Sequence, residues 1–173
     1  MISTGREIAS SVKRGLIEIE PFSYDRLNPN SYNLRLDKTL LKPYGPLDMA
    51  KPTESEQIEI PETGYMLEPG QLYLGCTIER TYTSHYVPML EGRSSIGRLG
   101  LFIHVTAGLG DVGFNGRWTL ELSCIMPIRI YAGVEICQIY YHTTYGEMSY
   151  YETGKYQGAL EAQSSRMYKE FKE

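Results

Sequence analysis

The order of apolar and polar residues predicts one short helix followed by a long succession of strands. Across Ser3–Lys13, Ile8 and Val12 share a helical face behind a Ser3 or Thr4 cap, and Gly15 ends the run. From Leu16 onward the period shortens. Strands are predicted at Tyr32–Leu36, Gln57–Ile60, Leu72–Glu79, Leu101–Thr106, Arg117–Ile125, Ile128–Tyr131 and Glu135–His142. Turn signals separate them at Pro43-Tyr44-Gly45-Pro46, Pro61-Glu62-Thr63-Gly64 and Glu68-Pro69-Gly70. Residues 42–55 read as an irregular surface loop. Residues 154–173 are polar and read as a mobile tail with a helical end near Arg166–Phe171. Many short strands at this spacing predict a sandwich, jelly roll or distorted barrel.

The strand at Arg117–Ile125 is the most sharply patterned. Trp118, Leu120 and Leu122 alternate with Thr119, Glu121 and Ser123, so one face is apolar and the other polar. Just before it, Phe114-Asn115-Gly116-Arg117 carries the Asn-Gly pair favoured in two-residue hairpin turns. With that turn, Phe114 faces Arg117, Val112 faces Thr119 and Gly110 faces Glu121. Glu121 then lies opposite a glycine, with an aromatic ring two steps along the same face. That is a floor for a ring-shaped ligand with a carboxylate at one end; plain solvation accounts for the polar face equally well. Simple pairing puts Asp111 on the opposite face. Either a bulge at Gly108-Leu109-Gly110 turns it around, or the two acids serve sites of different subunits.

Chemistry concentrates in Glu91-Gly92-Arg93-Ser94-Ser95-Ile96-Gly97-Arg98-Leu99-Gly100. Arginine offers a rigid fork of donors matched to phosphate oxygens, serine adds hydroxyls, and glycine allows close backbone approach. The segment reads as an anion-binding loop. The formal net charge of −4 argues against bulk binding of nucleic acid, yet a pocket can be locally positive. Cys76, Cys124 and Cys137 stand far apart with no Cys-x-x-Cys or Cys/His cluster, so they read as buried reduced thiols and not as zinc ligands. His104 lies among apolar residues and reads as a core or interface histidine. The 173 residues suit one domain, 1–173. With no leader and no apolar run of membrane length, the expected location is the cytoplasm.

Several blocks taken in order resemble a known family. They are Glu91–Leu101, His104-Val105-Thr106-Ala107, Asp111-Val112-Gly113-Phe114-Asn115-Gly116 and Thr119-Leu120-Glu121. Asn30–Leu36, Leu67–Gly70, Lys155-Tyr156-Gln157-Gly158 and Ser165-Arg166 extend the match over nearly the whole chain. Together they resemble the dCTP deaminase branch of the dUTPase superfamily. The resemblance implies a mainly β, dUTPase-like distorted barrel or jelly roll with a short N-terminal helix and a C-terminal tail over the active site. It implies a homotrimer with sites between subunits, and deamination without zinc. Glu121 would be the general base for attack at cytosine C4, with Ser94 and the backbone of Ala107 holding the water and Arg98 assisting. Arg93, Ser95 and Lys155 would hold the triphosphate, whose oxygens would carry Mg²⁺. Phe114 would pack on the deoxyribose, Thr119 and Tyr156 would join the substrate contacts, and Asp111 would sit near the sugar and the attacking water. The expected ligands are dCTP and dUTP, with dTTP as an inhibitor, and neither nucleic acid nor membrane is expected as a partner. A zinc deaminase would need a His/Cys pair plus Pro-Cys-x-x-Cys, and the chain has neither.

The chain departs from the family at a few positions. Gly108 stands where members that only deaminate commonly carry histidine and members that also split dUTP carry glycine. It tilts the reading towards a bifunctional enzyme making dUMP and diphosphate. The alternatives are a deaminase releasing dUTP, a dUTPase alone, and a non-catalytic nucleotide-binding regulator. Gly110 replaces a bulky aliphatic residue, which suggests open space beside the base for a 5-substituent. Ala159 replaces a common glutamine in the tail.

Overall fold

The computed structural model describes residues 1–104 and 106–171. Val105 of the expected strand at Leu101–Thr106, and Lys172 and Glu173 of the tail, lie outside the described residues.

Helix α1 spans Gly5–Lys13. The Thr4 hydroxyl accepts the Glu7 N–H at 3.3 Å, which satisfies one of the free donors of the first turn. Ile8 is fully buried. Strands follow at β1 (Ile17–Glu20), β2 (Tyr32–Arg35), β3 (Thr39–Pro43), β4 (Ser55–Glu59), β5 (Tyr65–Leu67), β6 (Tyr73–Thr83) and β7 (Tyr86–Gly92). A short helix α2 (Ser94–Gly97) leads to β8 (Leu101–Ile103), β9 (Asn115–Cys124), β10 (Ile128–Ile130) and β11 (Glu135–Thr143). A 3₁₀ turn at Met167–Glu170 forms the helical end expected in the tail.

The strands form three sheets. The largest runs β4-β3-β6-β9-β8, with β1 also paired to β6; the others are β2-β11-β7 and β10-β5. Leu34, Leu36, Leu40, Leu120, Leu122 and Ile139 are fully buried in one shared core. The mainly β class is met, and among the described residues the sheets stay open instead of closing into one hydrogen-bonded barrel. The cysteines are free and buried, and burial pushes the Cys76 thiol up to about 12.

The expected hairpin at Asn115-Gly116 does not form. Both residues lie inside β9, paired with Tyr82 and Thr81 of β6. The chain turns earlier: Phe114 N–H donates to Asp111 O at 3.2 Å, and Gly113 takes φ +90°, a conformation a side chain would resist. The long strand β6 offers a full ladder to residues 115–117, and that ladder outweighs the local preference of Asn-Gly for a turn. Glu121 therefore faces Leu74, not Gly110.

A different edge receives residues 108–110. β7 contains Pro88, which hides it from pattern reading. Leu90 N–H donates to Gly108 O, and Gly110 N–H to Pro88 O, both at 2.8 Å. A Cβ on Gly110 would fall 2.4 Å from Trp118 Cη2. The expected open space beside Gly110 is thus filled by the indole.

Candidate active site

Strand β9 behaves as its alternation requires. Trp118, Leu120 and Leu122 are buried, while Arg117, Thr119 and Glu121 are partly exposed on the other face. That face forms part of the wall of a cavity of about 480 Å³. Ala107, Asp111 and Phe114, between β8 and β9, supply a second wall. Asp111 and Glu121 thus line one cavity, and the opposite-face placement expected from simple pairing is overturned. The reason is the missing hairpin: residues 108–110 bond to β7 and do not ladder along β9. The Phe114 ring packs on Trp118 at 4.4 Å and on Tyr151 at 6.1 Å, giving the cavity an aromatic flank.

His104 is the residue that pattern reading misjudged. Its φ of +54° lies in the left-handed region, an arrangement that costs about 1–3 kcal/mol for a non-glycine residue. Its N–H donates to the Glu121 carbonyl at 3.0 Å. Its Nδ1 stands 2.7 Å from Glu121 Oε2. Both atoms are shut off from solvent, and their contact is close but poorly aligned for a hydrogen bond. His104 is therefore not a satisfied core histidine. It lies against one carboxylate oxygen of Glu121. Nothing in the sequence signals the positive φ that brings it there.

The tail closes the remaining side. Gly158 N–H donates to Asn115 O at 2.9 Å and Arg117 N–H to Ala159 O at 2.7 Å, so the tail extends the sheet along the edge of β9 that β6 leaves open. A Cβ on Gly116 would meet Ala159 O at 2.8 Å, which gives the glycine of Asn-Gly its purpose. Further along, Gln163 N–H donates to Thr119 Oγ1 at 2.9 Å. Tyr156 lines the cavity, and its hydroxyl accepts the Arg166 N–H at 3.0 Å.

Of the residues singled out from sequence, Glu121, Ala107, Asp111, Phe114, Thr119 and Tyr156 come together here. Five others do not line the cavity. Arg93 is held by Glu135, to its carbonyl at 2.9 Å and its carboxylate at 3.2 Å. Ser94, Ser95 and Arg98 sit exposed on and after α2, with no side-chain hydrogen bond among the described residues. Lys155 is paired with Glu170 within the tail.

The arrangement of sheets belongs to a solved class. A dCTP deaminase from Agrobacterium tumefaciens superposes with a TM-score of 0.66 at 20% identity, covering 83% of this chain and 48% of that one. This chain thus spans about half that chain's length, and the likeness establishes the fold class, mainly β and dUTPase-like. A family model for dCTP deaminase-like proteins matches residues 2–144, and the chain belongs to that family. Curated relatives named "dCTP deaminase, dUMP-forming" match over 99% of this chain and 98–99% of their own length. They include proteins of Clostridium botulinum strain Alaska E43 at 59% identity, Leptospira biflexa at 58% and Hathewaya histolytica at 57%.

Proposed function

We propose that this protein deaminates dCTP and carries the product on to dUMP, ammonia and diphosphate. The observation that carries the reading is the near full-length likeness to dUMP-forming deaminases, joined to a carboxylate at the cavity wall. Glu121 takes a proton from water as the oxygen bonds to cytosine C4, and passes it to N3. It then moves the second proton from the new hydroxyl to the amino group, which leaves as ammonia while the C4 carbonyl forms. Water then attacks the α-phosphorus with Asp111 as its base, and diphosphate leaves with the bonding electron pair.

Ser94 and the Ala107 backbone hold the first water, and Arg98 stabilises the charge beside Glu121. Arg93, Ser95 and Lys155 take the triphosphate, Phe114 the deoxyribose, and Thr119 and Tyr156 the closed nucleotide under the tail. The exposed position of α2, outside its own cavity, supports delivery of these groups to a neighbouring copy in a homotrimer. Leu99, Phe102, Ile125 and Met126 are exposed beside α2, an apolar surface that such a contact would cover. Among the described residues no three His, Cys, Asp or Glu side chains converge. Mg²⁺ would arrive with the triphosphate and screen its charge. No zinc is assigned a step. The same cavity is the place for dTTP as an inhibitor. No helix among the described residues is long and apolar enough to cross a membrane.

Incubation with dCTP and Mg²⁺, followed by separation of products, tests the reading. dUMP, ammonia and diphosphate are expected. Accumulating dUTP would make the protein a deaminase alone, and tight binding without turnover would make it a regulator.

A further inference from the structure

Arg117 stands out once the charges around the cavity are counted. The wall carries two carboxylates, Asp111 and Glu121, and among the described residues Arg117 is the one lysine or arginine lining it. Such a wall repels a triphosphate unless cations are added, and Arg117 is already in place. The guanidinium is under-used. It makes one hydrogen bond, from NH1 to Asp37 Oδ2 at 3.2 Å, and its other donors have no partner among the described residues. A structural arginine in this setting usually engages its acid with both prongs.

Its neighbour on the sheet makes the contrast. Arg80 lies directly opposite Arg117 in the ladder. Like charges in that position repel. Arg80 is neutralised by two acids, Glu18 at 3.1 Å and Glu20 at 3.4 Å. Arg117 has only Asp37 and opens into the cavity.

Position along β9 then fixes what it would meet. Glu121, Thr119 and Arg117 follow at every second residue on one face, so Arg117 lies about 13 Å along the strand from Glu121. With the base at Glu121, a nucleotide laid along this face of β9 carries its phosphate end to Arg117, which lines the same cavity. Tyr156 and Ser165 of the tail line that same cavity, next in sequence to the cations Lys155 and Arg166.

We infer that Arg117 is a further substrate-binding residue, which releases part of its hold on Asp37 to bind the phosphate end of the nucleotide whose base lies at Glu121. This rests on the deaminase reading for the position of the base. The test uses full-length protein. Arg117→Gln raises KM for dCTP about tenfold with kcat within about twofold, the change expected on losing one charge-assisted contact. Arg117→Lys, which keeps the charge, recovers part of that loss. In a Glu121→Gln background, dCTP binding followed by the fluorescence of Trp118 weakens on adding Arg117→Gln, whereas deoxycytidine binding does not. Asp37→Asn leaves KM within about twofold, and thermal melting checks that each variant folds. If Asp37→Asn reproduces the rise in KM, or deoxycytidine binding falls as far as dCTP binding, the ion pair acts through the fold and the assignment is overturned. An unchanged KM in Arg117→Gln overturns it too. Turnover surviving in Glu121→Gln would instead remove the deaminase assignment, a separate failure.

Discussion

Two regions carry the proposed chemistry, and they are built in opposite ways. Around Glu121 the fold packs the groups: His104 lies against the carboxylate, Phe114 against Trp118, and the tail bonds Thr119. Around α2, Ser94, Ser95 and Arg98 are exposed, with no side-chain hydrogen bond among the described residues. The first region has the rigidity that positioning a general base demands. The second has the unmet bonding capacity of a surface awaiting another molecule. On the proposed reading, one half of the site is finished by the fold and the other only by assembly.

The sharpest test of the held half is Glu121→Gln. Loss of a general base lowers kcat by about 10²–10⁴-fold, while dCTP still binds, as single-turnover and binding assays would read. Normal deamination would remove Glu121 from the mechanism. For the outward half, Arg98→Gln lowers kcat by about a hundredfold, the scale seen when one charge-stabilising donor is removed. Mixing inactive Glu121→Gln and Arg98→Gln subunits after dissociation and reassembly restores part of the activity, because some sites then combine two intact halves. No recovery would place both groups in one subunit's site and dissolve the contrast.

His104→Asn tests the contact itself. A carboxylate left free to rotate lowers kcat by about ten- to a hundredfold with KM little changed. Gly110→Ala drives a methyl into Trp118, and the overpacking destabilises the fold by about 1–3 kcal/mol, measured by denaturant unfolding. The smallest effect is on Cys76. Its thiol is raised to about 12, so the reactive thiolate is scarce below that pH, and iodoacetamide at pH 8 labels it only after unfolding.

Much of the held half was legible in the chain. The alternation from Trp118 to Ser123 gave the right faces, the Thr4 cap gave α1, and the ordered family blocks brought Ala107, Asp111, Phe114 and Glu121 to one cavity. What failed were inferences from local preference alone. Asn115-Gly116 has turn chemistry, but β6 supplies a ladder and Ala159 needs the space above Gly116. Pro88 marks β7 as an unlikely strand, yet it sits where its carbonyl is useful and its missing N–H is not. β5 is too short to carry a period, whereas β1 alternates Ile17-Glu18-Ile19-Glu20 and was legible but not predicted. His104 depends on a backbone angle that composition does not encode. Arg117 resembles any strand arginine until the charges around it are known.

The tail's two backbone hydrogen bonds to β9 have a consequence for the substrate-free enzyme. A strand in the middle of the largest sheet would otherwise show bare N–H and C=O groups at 115–117, the kind of edge on which a second chain can stack. By lying there the tail acts as a removable selvedge on the sheet. On the proposed reading the tail would have to lift to admit a nucleotide, and the sheet would then be unhemmed for as long as it stayed open.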